Sequence, residues 1–129
     1  MNTGHEGSLT TVHANAPRDA FNRIETMALF AESGLASHAI REQMASALNI
    51  VVQIGRLADG TRRCVEIAEV RGLEDGAVAV APIFRWQQTG IEAGVVHGRH
   101  EATGYEPRCL EQMAGYGITL DQRWLRRDV

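Results

Sequence analysis

Asn2-Thr3-Gly4-His5-Glu6-Gly7-Ser8-Leu9-Thr10-Thr11-Val12-His13-Ala14-Asn15-Ala16-Pro17 is the stretch whose reading decides the fold. Two histidines and two glycines surround a short β-branched run, and a proline follows. Ser8–His13 is too short for a helix and carries Thr10, Thr11 and Val12, so it reads as a strand. With a period of two, Leu9, Thr11 and His13 share one face and Ser8, Thr10 and Val12 the other. Neither face is strongly polar, which fits a strand covered on both sides, as in a parallel sheet. Ligands of open α/β sheets sit outside the carboxyl ends of strands. Helix N-termini there offer unpaired N–H groups and a positive dipole to phosphate. The stretch therefore predicts a nucleotide-type site, present only in part.

Working outward, Pro17 suits the first turn of a helix, where its missing N–H costs nothing. Ala20, Phe21, Ile24, Met27, Ala28 and Ala31 then recur at three- and four-residue spacing as an amphipathic stripe, and Gly34 is a natural stop. Ser37 is placed to cap a second helix with Ile40, Met44, Ala47 and Leu48 buried. Ile50-Val51-Val52-Gln53-Ile54 reads as a buried strand. Asp59-Gly60 and Asp75-Gly76 are hairpin signals that divide the next stretch into strands near 50–57, 61–72 and 77–86, an antiparallel meander. Pro82 predicts that the last of these is an edge strand or ends early. Beyond it we expect a strand near Val95–His100, a helix after Pro107 ending about Gly115, and a short terminal helix holding Trp124 and Leu125.

The bulk numbers narrow the class. At 129 residues one domain is expected, with a core that needs no disulfide or metal. A charged fraction of 22% and a formal net charge of −3 give no support to electrostatic nucleic-acid binding. No stretch approaches the ~18 apolar residues of a membrane span, and the first residues do not form a signal peptide. Cys64 and Cys109 stand far apart without CxxC spacing, so both are expected reduced.

Thr3–Asn15 resembles the His box of the type II/type IV secretion and pilus-assembly ATPases. Pro17-Arg18-Asp19-Ala20 and Arg23-Ile24-Glu25-Thr26-Met27 continue that pattern. The CpaF-like branch, which powers tight-adherence (Flp) pili, is similar again in Ala39-Ile40-Arg41-Glu42-Gln43, in Arg56–Arg63 and in Ala102-Thr103-Gly104-Tyr105-Glu106-Pro107. The resemblance implies an α/β fold, the C-terminal half of a RecA-like P-loop ATPase core, with residues 1–129 as one partial domain. It implies a cytoplasmic homo-hexamer, peripheral to the inner membrane, that meets pilus or secretion platform proteins and hydrolyses ATP with Mg²⁺. By position, His5 and His13 match the two His-box histidines, expected to sense or contact the γ-phosphate. Arg18 and Arg23 are expected to serve phosphate or subunit-interface contacts.

The departures carry as much weight. No G-x-x-x-x-G-K-[ST] occurs in the chain, and phosphate cradling needs that loop's N–H groups, its Lys and its Ser/Thr for Mg²⁺. In the family the Walker B segment precedes the His box, so the resemblance implies that Met1 is an internal residue of a longer protein. Two readings of different kind stay open: a motor fragment that is inactive alone, and a non-catalytic interaction module of a secretion complex. A metal-dependent hydrolase is a distant third, since no HExxH or carboxylate triad accompanies His5 and His13. His97 and His100, at odd separation on a strand, point to opposite faces. Bland roles suffice elsewhere. Asp19 and Glu25 belong to the solvated side of the first helix, Met27 and Met44 to core stripes, and Arg62-Arg63 to an edge strand. Arg123, Arg126 and Arg127 around Trp124 make an exposed helix face or subunit contact.

Overall fold

The computed structural model describes residues 7–31 and 34–126. Helix α1 (Pro17–Phe30) and helix α2 (Ser37–Ala47) precede strands β1 (Ile50–Arg56), β2 (Arg62–Glu74), β3 (Ala77–Glu92) and β4 (Val95–Ala102); helix α3 (Cys109–Gly115) and a 3₁₀ turn (Gln122–Leu125) follow. The strands form one sheet in the order β1-β2-β3-β4. Mixed α/β with an antiparallel meander is therefore what the chain builds. It divides into two compact units, one of residues up to Asn49 with Val70–Val80, the other of Ile50–Glu69 with everything from Ala81 onward.

The expected strand at Ser8–His13 is not formed: residues 7–14 carry no regular structure, and Leu9 is 98% exposed. A strand exists only where a neighbour pairs its N–H and C=O groups. None of the described strands lies beside this segment, so β-branched composition alone does not order it.

In the first unit, Pro17 opens α1 as expected and Ala20, Phe21, Ile40 and Met44 are buried. Ala36, not Ser37, is the N-cap of α2, which leaves the Ser37 hydroxyl to Glu25. Glu25 is itself buried, contrary to the solvated role expected of it, while Met27 is 59% exposed. The buried stripe thus runs along Ala20, Phe21 and Glu25 and leaves Met27 outside. The stripe tolerates a carboxylate because Arg41 answers it.

The β2–β3 connection is the two-residue turn that its sequence announces, with Asp75 and Gly76 both at positive φ (51° and 76°), the twist that matches flanking strands. Ala93 and Gly94 repeat this between β3 and β4 (48° and 80°). Alanine at such a position gives no turn signal, which is why the β3–β4 hairpin was not legible. Two irregularities re-aim the ladders: Gln53 and Ile54 face Glu66 and Cys64, skipping Val65, and Gln88 and Gly90 face Gly98 and His97, skipping Thr89.

Three strand expectations are corrected. β1 ends the sheet order, so Val52 and Ile54 are more than half exposed and the strand is not buried. β3 is interior in the order and runs on to Glu92, yet β4 accompanies it only from Phe84. Pro82 therefore sits where that side of β3 has no ladder, which is how a proline fits. Arg63 lies on interior strand β2, where its guanidinium stacks over Trp86 at 4.9 Å instead of guarding an edge.

Candidate functional site

His5 lies outside the described residues. His13 is exposed in the segment without regular structure, and Arg18 and Arg23 are exposed on α1. At about 100° per residue, five positions turn Arg23 roughly 140° away from Arg18. Only Arg18 lines the cleft of the first unit, about 190 Å³, together with Phe21, Asn22, Glu25, Arg41 and Met44. Among the described residues no hydrogen bond or ion pair joins His13 to either arginine.

What the fold does assemble in this unit is a charged junction. Arg41 donates from Nε and Nη2 to the two carboxylate oxygens of Glu25, both at 2.9 Å, and from Nη1 to the Gly76 carbonyl at 2.9 Å. This is the planar fork that makes arginine–carboxylate pairs directional. The Arg41 hydrogen bonds, with the Ser37 hydroxyl and the Arg41 charge, hold the Glu25 carboxyl below its ordinary range against the opposing effect of burial. The sequence did carry a signal for it. Glu25 falls four residues after Phe21 and three before Ala28, inside the apolar stripe, where an acid needs a partner.

The second unit holds a comparable hub. Glu69, 4% exposed on β2, accepts from the Tyr105 hydroxyl at 2.6 Å and from the backbone N–H groups of Arg108 and Cys109 at 3.0 and 2.9 Å. Burial raises its pKa, but these three donors and the Arg108 charge outweigh burial and leave it lowered. A strand carboxylate thereby satisfies the first amides of α3. Asp59 works likewise in the β1–β2 turn. The Thr61 hydroxyl, the Val96 N–H and the Thr61 N–H draw its pKa down to about 2. On β4, His100 packs edge-on against its cross-strand partner Trp86 at 5.1 Å and its Nε2 lies 2.8 Å from the Cys64 carbonyl. These contacts engage His100 within the sheet.

The model of the type II/IV secretion system protein family matches residues 1–108. The chain belongs to that family. Proteins named conjugal transfer proteins in two Mycobacterium tuberculosis strains, CDC 1551 / Oshkosh and ATCC 25618 / H37Rv, are 42% identical to it over 97 residues, 75% of this chain and 27% of theirs. The conjugal transfer protein TrbB of Rhizobium radiobacter is 35% identical over 71 residues, 55% of this chain and 20% of its own length. The matches thus span about a quarter of the mycobacterial relatives' length. They support the type II/IV secretion class named from the His box.

Members of this family are usually ATPases, so the cleft can be asked whether it suits ATP and Mg²⁺. It does not do so by itself. Its carboxylate, Glu25, is occupied by Arg41 through both oxygens, and the sequence offers no glycine-rich phosphate loop. Among the described residues no group of three or more His, Cys, Asp or Glu side chains could hold a metal. Arg18 is the cation this cleft presents without a hydrogen bond or ion pair among the described residues.

Proposed function

We propose that this chain is the C-terminal part of an ATP-hydrolysing motor of the type II/IV secretion class. The observation that carries the reading is the family match through residues 1–108. His5 and His13 then serve as the residues that read the nucleotide's terminal phosphate, and Arg18 and Arg23 serve phosphate or neighbouring-subunit contacts. The phosphate-binding loop and the Mg²⁺ ligands come from another segment, since the cleft described above does not supply them. The motor acts as a cytoplasmic homo-hexamer at the inner membrane, against pilus or secretion platform proteins.

The resemblance of Arg56–Arg63 and Ala102–Pro107 to the CpaF-like branch favours a tight-adherence pilus as the system served. The names of the mycobacterial and Rhizobium relatives favour conjugal transfer. A second reading, a non-catalytic interaction module, draws on the occupied carboxylate in the cleft. Segment exchange tests the two. The segment of a Mycobacterium tuberculosis relative that corresponds to residues 1–108 is replaced by those residues of this chain, and ATP binding and hydrolysis are measured with and without His13→Ala. The motor reading predicts near-normal binding and turnover reduced about a hundredfold in the variant. Unchanged turnover sinks the role given to His13.

A further inference from the structure

We infer that Arg41 and Glu25 are positioning residues that fix the first turn of α1, and with it Arg18, at the mouth of the cleft. The inference rests on the reading of Arg18 as a contact residue, and nothing in that reading assigns a role to either partner. Arg18, Asn22 and Glu25 stand at positions i, i+4 and i+7, one face of a helix, and all three line the cleft with Arg41. The far end of that row is held by the two bonds from Arg41 to Glu25, and the third bond from the same guanidinium goes to the turn at Gly76. One rigid fork therefore ties three pieces of chain that are distant in sequence: α1, α2 and the β2–β3 turn.

Electrostatics makes the same distinction between the two arginines. Arg41 and Arg18 share a cleft, and their like charges would repel. Glu25 compensates Arg41 through both of its oxygens, so Arg41 acts as scaffold and Arg18 is left as the charge facing outward. A part-buried ion pair of this kind contributes little net stability compared with apolar residues of similar volume, and the role inferred for it here is to specify geometry. Lysine cannot substitute for arginine here, because one ammonium on a flexible stem does not reproduce a planar fork with three acceptors.

The test is amide hydrogen exchange on the full chain for wild type, Arg41→Lys, Glu25→Gln and the double variant Glu25→Met/Arg41→Met. Positioning predicts that Arg41→Lys raises exchange about tenfold or more at Ala20 and Phe21, the first hydrogen-bonded amides of α1, and at Ala77–Val78, the effect of losing a charge-assisted hydrogen bond. The amides of Ile40–Met44 should change little. The double Met variant should stay folded with a similar melting temperature and show the same selective release. A uniform rise across the first unit, or no rise at Ala20 and Phe21 in a folded Arg41→Lys chain, overturns the inference. The exchange readout does not depend on hydrolysis. Selective release with no hydrolysis in the segment-exchange protein would therefore remove the motor reading and leave the positioning of α1 standing.

Discussion

Replacing Glu69 by Gln keeps the shape of a buried side chain and removes its charge, which makes it the sharpest perturbation of the hub that holds α3. In the native chain two donors, Tyr105 Oη and the Arg108 N–H, meet Oε2, and the Cys109 N–H meets Oε1. A glutamine carbonyl placed at the first site keeps two of these bonds as neutral ones. Its amide then confronts the Cys109 N–H, donor against donor. Hydrogen bonds to a charged acceptor contribute about 1.5–3 kcal/mol each and neutral ones about 1 kcal/mol. One charged bond lost and two weakened come to roughly 3–4 kcal/mol. For a chain of 129 residues, that is a fall in Tm of about 11–15 °C. Trp86 and Trp124 lie in the same compact unit as Glu69, so tryptophan fluorescence during heating reads the loss directly. Hydrogen exchange should accelerate first at the amides of Arg108 and Cys109. A fall of less than about 2 °C, with exchange at those amides unchanged, would refute the hub.

Gly98→Ala would put a Cβ 2.5 Å from the Gln87 carbonyl oxygen and 2.6 Å from Trp86 Cζ2. It should lower stability by about 1–3 kcal/mol, measured as a shift in the denaturant midpoint. The carboxyls of Glu25, Glu69 and Asp59 are all depressed in the fold, so the stability they contribute is present above their ordinary range and lost as pH falls through their folded values. Tm should hold down to about pH 5 and then decline, and Asp59→Asn should flatten the part of that decline between about pH 3.8 and 2. Val52→Lys places a charge on the exposed face of edge strand β1 and should reduce aggregation during concentration, followed by light scattering, with little change in Tm.

The parts legible in the sequence were those governed by local chemistry. Pro17 and the Ala20–Phe21 stripe specify α1, and Asp75-Gly76 specifies the turn after β2, because each depends on residues within one turn of each other. The parts that were not legible depend on distant partners. Ser8–His13 has strand composition but none of the described strands pairs with it, and Ile50–Ile54 is apolar yet ends the sheet. Gln87, Gln88 and Thr89 are exposed, so the apolar alternation that marks a strand fades although β3 continues through them. The site divides in the same way. His13, Arg18 and Arg23 are proposed by pattern alone, whereas Glu25 was assigned to solvent because its answering charge sits 16 residues away on α2. Glu69 and Tyr105, 36 residues apart, have no signature at all until the chain is folded.

ATP turnover by the segment-exchange protein decides whether this segment completes a hydrolysing motor. Turnover should come close to that of the unmodified relative and be lost when the same segment is deleted. A folded exchange protein that binds ATP and does not hydrolyse it, beside an active unmodified relative, would rule out the motor reading.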